Sequence, residues 1–249
     1  MQSGKSCATS SRELPQVWKE ARVIGRSGVM QVTYPFSMNF FQMQLHIHPD
    51  NPQDRNINTV VEELQNGGII VFPTDTVYAL GCSLFDHKAV TRIARLKNIK
   101  PEKAKFSILV NSLSNLSEYA KPIDNNLFRL MKSVLPGPYT FILTASSNVP
   151  KIFETRKKTI GIRYPDNNIV QHIIEKLGHP IVSTSLHSDA DDYLEYIVDP
   201  ELIHDKFEKL VDIVINGGWG GIEPSTVIDC SNDELEIIRE GKGPVDFIV

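Results

Sequence analysis

At 249 residues, with 41% hydrophobic and 22% charged side chains, the chain has the make-up of an ordinary globular protein with room for one core, or one core and an appendage. A formal net charge of −4 speaks against indiscriminate binding to nucleic acid or lipid. No apolar run approaches the roughly 18 residues of a membrane span, and no secretory signal opens the chain. Cys7, Cys82 and Cys230 are far apart and lack CxxC or zinc-ligand spacing, so free thiols in a reducing, cytoplasmic compartment are expected.

Residues 1–37 differ from the rest. Lys5, Arg12, Lys19, Arg22 and Arg26 face only Glu13 and Glu20 among scattered Ser and Gly. This composition reads as a poorly ordered or non-native extension, with an organelle transit peptide as the alternative. Residues 38–249 read as a single domain. Gln44–His48 alternates like an edge strand, which places His46 and His48 on one face, where solvent exposure is the simpler reading than metal binding. Ile57, Val60, Val61 and Leu64 fall at helical spacing, and Gly67 stops that helix.

The next stretch, G-G-I-I-V-F-P-T-D-T-V-Y-A-L-G over 67–81, organises the chain. Ile69–Phe72 fits a strand buried on both faces, and Pro73 ends its ladder. Three small polar side chains, Thr74, Asp75 and Thr76, then stand at the strand's mouth, where they need partners. A second apolar segment, Val77–Leu80, is expected to close at Gly81. A turn in which Thr and Asp cap their own backbone is the simplest account of P-T-D-T taken alone.

A helix over His87–Lys97 runs into Arg92, Arg95, Lys97, Lys100, Lys103 and Lys105, opposed only by Glu102. Such a run is a solvated face or a loop that neutralises phosphates. Phe106–Val110, Tyr139–Thr144, Lys158–Tyr164, Ile181–Thr184, Val211–Ile215, Ser225–Asp229 and Leu235–Arg239 read as strands. Asn125–Val134, Asn168–Leu177 and a segment begun by Pro200 read as helices, and His187–Tyr196 as a loop. The irregular alternation predicts a twisted mixed sheet, parallel and antiparallel, with helices on both sides: an α/β fold.

Glycine-rich phosphate loops and nucleophile elbows are absent. Small hydroxyls instead recur at strand ends: Thr74 and Thr76, Thr159, Ser183 and Ser185, Ser225 and Thr226. With Lys97, Lys100, Arg163 and Arg239 they would furnish a cleft rich in donors for anionic oxygens.

P-T-D-T-V-Y-A-L-G, K-N-I-K-P, P-G-P-Y-T, T-I-G-I-R-Y-P, P-I-V-S-T-S, P-S-T-V-I-D and R-E-G, in that order, resemble the YrdC family, which includes threonylcarbamoyl-AMP synthases of tRNA modification. The I-H-P-D-N-P-Q opening and the S-T-S-L segment look most like its YciO branch. The resemblance implies a YrdC-like three-layer fold and a nucleotidyltransferase that converts L-threonine, bicarbonate and ATP with Mg²⁺ to threonylcarbamoyl-AMP and pyrophosphate, without a dedicated protein metal site. It implies that Thr74, Arg163, Ser183 and Ser225 hold threonine, with Arg163 on its carboxylate. Lys97 and Lys100 would face the phosphates, and Thr159, Ser185 and Arg239 the nucleotide. It also implies tRNA or double-stranded RNA as a partner, for which 92–105 is the candidate surface. Three positions depart from the family pattern. Ala79 replaces a glycine, Ser185-Leu186-His187 replaces S-A-N, and the lysine loop is one residue longer. These departures leave open a paralogue that binds or hydrolyses the adenylate, or an RNA-binding module without synthase activity.

Overall fold

Alternating polar and apolar residues give the first strand, β1 (Met43–His46), and a helical stripe of Ile57, Val60, Val61 and Leu64 gives α1 (Asp54–Gln65), which ends before Gly67 at φ 85°. The computed structural model describes residues 43–100, 104, 106–153, 158–186, 197–232 and 234–246. The extension read over 1–37 and the loop read over 187–196 lie outside the described residues. β2 (Ile70–Phe72), β3 (Ala79–Ser83), α2 (His87–Leu96) and β4 (Ser107–Leu109) follow. Next come α3 (Leu113–Tyr119), α4 (Asn125–Val134), β5 (Tyr139–Thr144), β6 (Thr159–Arg163) and α5 (Asn168–Leu177). β7 (Ile181–Ser185), α6 (Pro200–Phe207), β8 (Ile213–Asn216), β9 (Thr226–Asp229) and β10 (Glu236–Arg239) complete the sheet.

Local chemistry starts and stops these helices. The Asp86 carboxylate accepts from the Lys88 and Ala89 amides, and Asp124 does the same for Asn126 and Leu127. Asp199 caps α6 ahead of its first-turn proline, and Gly178 at φ 78° closes α5. Each side-chain cap satisfies amides that a helix start leaves orphaned, worth about 1 kcal/mol. The seven-residue α3 is an addition to the sequence reading. Its few apolar residues are too short a run to show periodicity, and the Ser112 hydroxyl supplies its start by accepting from Asn115 N.

The ten strands form one mixed sheet in the order β1-β8-β2-β3-β7-β4-β6-β5-β9-β10. β1, β8 and β2 are mutually parallel, as are β4 with β6 and β5 with β9, while the remaining neighbours are antiparallel. One face, carrying Val71, Leu80, Cys82, Ile108, Val182, Ile162 and Phe141, packs beneath α2, α3, α4 and α6. The other carries Ile70, Phe72, Ala79, Leu109, Ile181, Ile213 and Ile215 beneath α1 and α5, the helices that cover it among the described residues. Full burial of an aliphatic side chain is worth about 1.5–3 kcal/mol, so both layers contribute to stability.

Gly81 corrects the sequence reading: it lies inside β3, not at its end. A Cβ there would stand 2.5 Å from the Val182 carbonyl oxygen and 2.6 Å from the Phe72 ring. Close packing by neighbours remote in sequence, not a turn, requires glycine at this position. Among the described residues no helix is long and apolar enough to cross a membrane.

Candidate functional site

Because α1 and α5 cover only part of their face, the sheet beyond them is partly open. Directly paired residues share a face. Gly81 pairs with Ser183, Ser183 with Ser107, and Ser107 with Gly161. Four adjacent strands therefore present a strip with no side chain larger than a hydroxymethyl group. Ser107 and Gly161 are half-buried in this strip, and Ser183 is buried. No hydrogen bond is made by the Ser107 or Ser183 hydroxyl among the described residues. Two residues on from Gly161, and on its face, stands Arg163.

Arg163 is 7% exposed, so its charge needs partners. Its Nη2 donates to Asp75 Oδ1 at 2.8 Å and to Thr76 Oγ1 at 2.9 Å, and its buried Nε has no partner among the described residues. Burial lowers the guanidinium's pKa from its ordinary value; the Asp75 carboxylate opposes that shift, and the like charge of Arg239 adds to it. A buried donor without an acceptor costs about 1–3 kcal/mol. Here it borders the strip of small side chains, where an anionic oxygen would satisfy it.

The Thr74–Thr76 turn is locked mainly by itself. The Thr74 hydroxyl donates to the Val77 carbonyl at 2.7 Å and accepts from Thr76 N at 3.1 Å. Its remaining contact is Thr76 Oγ1 at 3.0 Å. With its one hydrogen given to Val77 O and its lone pairs facing Thr76 N and Thr76 Oγ1, the Thr74 hydroxyl is fully engaged within its own turn. The capped turn and the arginine-bound turn are thus both present: Thr74 serves its own backbone, and Thr76 and Asp75 serve Arg163.

On the far side of the strip, Ser225 Oγ lies 2.7 Å from Thr140 Oγ1, and both residues are buried. Arg239 forks onto the Ser225 carbonyl through Nε at 3.1 Å and Nη2 at 2.8 Å, and Nη2 also reaches Ser225 Oγ at 3.3 Å. Lys242 draws the two sides together. Its backbone amide donates to Pro224 O at 2.9 Å and its Nζ to Asp75 O at 2.6 Å. Gly221 N donates to Thr76 O at 2.8 Å, bracing the same turn from the β8–β9 loop.

The remaining sequence candidates are less central. Lys97 Nζ donates to Ser185 O at 2.8 Å and lies 3.4 Å from Thr184 Oγ1, which puts it at the end of β7. Ser185 is half-buried opposite Ala79, and Thr159 is half-buried opposite Thr144. Lys100 is exposed, and the loop beyond it, with Lys103 and Lys105, lies outside the described residues, as does His187. Within the basic run, Arg92 Nη1 pairs with Asp212 Oδ2 at 2.7 Å and its Nη2 donates to Leu210 O. His46 and His48 are exposed, and His48 Nδ1 accepts from the Asp50 and Asn51 amides. Ser107, Thr140 and Gly161 were missed by reading residues one at a time. The i,i+2 relation of Gly161 and Arg163 was the available clue to their shared face.

The family model Sua5/YciO/YrdC, described as "Telomere recombination", matches residues 62–241. The chain belongs to this family. It is 47% identical to YciO of Escherichia coli K12 over 201 residues, covering 80% of this chain and 96% of that one. The crystal structure of E. coli YciO superposes with a TM-score of 0.77 at 45% identity, covering 83% of this chain and 99% of that one. Threonylcarbamoyl-AMP synthases are more distant. That of Pyrococcus abyssi is 30% identical over 190 residues, covering 74% of this chain and 54% of the synthase. The structure of P. abyssi Sua5 complexed with L-threonine superposes with a TM-score of 0.75 at 26% identity, covering 83% of this chain and 59% of Sua5.

Proposed function

We propose that this chain binds L-threonine and ATP in the cleft above the Gly81–Ser183–Ser107–Gly161 strip and forms threonylcarbamoyl-AMP from them and bicarbonate. The observation that carries the reading is the unpartnered Nε of the buried Arg163 beside that strip. A carboxylate would take that donor. Relatives named threonylcarbamoyl-AMP synthase and a Sua5 structure complexed with L-threonine support threonine as its bearer.

In this reading Arg163 holds the threonine carboxylate, with Ser183, Ser225 and Thr74 around the rest of the molecule. The threonine amine captures bicarbonate as a carbamate with loss of water, and the carbamate oxygen attacks the α-phosphate in line, releasing pyrophosphate. Lys97 and Lys100 lie toward the phosphates, and Thr159, Ser185 and Arg239 toward the nucleotide. Such chemistry demands positioning and charge neutralisation more than a protein nucleophile. In this reading Mg²⁺ enters with ATP as part of the substrate.

A nucleic-acid surface over 92–105 has less support, since Arg92 is paired with Asp212 and Lys97 turns to β7. The test is one incubation with ATP, L-threonine and bicarbonate, followed by mass detection of the adduct. A bicarbonate-dependent threonylcarbamoyl-AMP signal is expected, together with a higher melting temperature in threonine plus ATP than in either alone. No adduct and no shift with threonine, ATP or the synthetic adenylate would remove the reading. A shift with the synthetic adenylate but no adduct would leave a binding or hydrolysing paralogue.

A further inference from the structure

The Thr74–Thr76 turn carries a carboxylate to which the chemistry above gives no part. Asp75 is fixed at three points. Its Oδ1 accepts from Arg163 Nη2 at 2.8 Å, its Oδ2 from Asp166 N at 3.3 Å, and its main-chain oxygen from Lys242 Nζ at 2.6 Å. The Arg163 and Asp75 side chains are only 9% and 7% exposed, so the two charges face each other largely without water. Thr76 takes the other Nη2 contact at 2.9 Å. Both hydrogens of Nη2 are then committed within the protein, the guanidinium plane is fixed, and Nε is left over.

We propose that Asp75 is the positioning and specificity-determining residue of the cleft: by holding and neutralising Arg163, it presents the remaining Nε–H to the carboxylate of an amino acid and keeps a phosphate dianion from taking its place. The inference rests on the amino-acid reading of the site. An ion pair that is neutral overall matches a ligand whose own charges cancel: the ligand carboxylate meets Arg163, and its ammonium end lies in the negative potential of Asp75. A phosphate dianion meets the Asp75 charge as well as Arg163 and has no cationic end to offset it. In a poorly hydrated site one unit charge at a few ångströms shifts affinity tenfold or more. The same pairing spares Arg163 the cost of a buried isolated charge. Asp75 thus keeps the arginine from becoming a phosphate site beside a nucleotide.

The test uses the full chain and its isosteric variant Asp75→Asn, melted with L-threonine or inorganic phosphate at constant ionic strength. Wild type is expected to respond to threonine and not to phosphate. Asp75→Asn is expected to gain phosphate binding at least about tenfold tighter than wild type and to lose about tenfold in threonine affinity. The phosphate gain should vanish in Asp75→Asn/Arg163→Met. A role confined to stability would move none of these anion preferences. A folded Asp75→Asn whose phosphate affinity stays within about twofold of wild type overturns the assignment, as does a gain that survives loss of Arg163. Wild type indifferent to threonine, with the phosphate gain present, would remove the amino-acid reading and keep the neutralising role of Asp75. If Asp75→Asn does not fold, the wild-type Arg163 Nε–H resonance, identified by its loss in Arg163→Lys, replaces it. That signal should shift with threonine and stay in place with phosphate, and any other pattern overturns the proposal.

Discussion

Strands β3, β7, β4 and β6 present two unlike surfaces on alternate residues. Toward α2, α3, α4 and α6 they show Leu80, Cys82, Val182, Ile108 and Ile162, all buried and bulky. Toward the partly open side they show Gly81, Ser183, Ser107 and Gly161. Because strand side chains alternate, a one-residue step from Leu80, Val182, Ile108 or Ile162 to Gly81, Ser183, Ser107 or Gly161 changes the task from filling a core to lining a cleft. One face fills a core throughout, whereas the other gains stability at Ala79, Leu109 and Ile181 and leaves room for a ligand only along the strip, with Arg163 serving both tasks.

That dual role gives the largest expected effect. Arg163→Ala removes one member of a buried pair and strands the Asp75 carboxylate, so denaturant unfolding should show a loss of about 3–5 kcal/mol, with the threonine-dependent stabilisation gone. A loss below about 1 kcal/mol would show that the pair is solvated and the cleft face plays no structural part. Ile162→Ala, one residue away on the packed face, should cost about 2–4 kcal/mol by leaving a cavity. Its threonine and ATP affinities, measured on folded protein, should stay at wild-type values, and a change in them would break the division of labour. Gly161→Val should have the smallest effect on stability, about 1 kcal/mol. Its Cβ would stand 2.9 Å from the Ser107 hydroxyl, which can rotate, and 3.3 Å from Thr140 Cγ2. Extra bulk in the strip should nonetheless abolish ligand-dependent melting shifts, and unchanged shifts would put the ligand elsewhere.

The two faces were not equally legible in the sequence. Elements signalled by their own residues came through closely: Asn125–Val134, Tyr139–Thr144 and Asn168–Leu177 coincide with α4, β5 and α5. Gly81 was misread as a terminator because the reason for it lies in Val182 and Phe72, which only the folded sheet brings near. The strip was invisible for the same reason, since no residue of it is unusual until four strands align in register. Arg163 was legible through its strand and through the family resemblance. Its partner Asp75, 88 positions away, was not, because a carboxylate in a turn is ordinary until a buried cation faces it. In the basic run, charge spacing alone could not reveal that Arg92 reaches Asp212, 120 positions on.

The pairing of β5 with β9 has a consequence for synthesis on the ribosome. Ser225 meets Thr140, and Arg239 meets Ser225, only once β9 lies alongside β5, and Lys242 fastens the Asp75 turn from further along still. A nascent chain stopped anywhere before that point can lay down most of its central strands and yet has only half of its cleft. In the proposed reading, binding competence therefore waits for residues 225–242, however early the central strands are laid down.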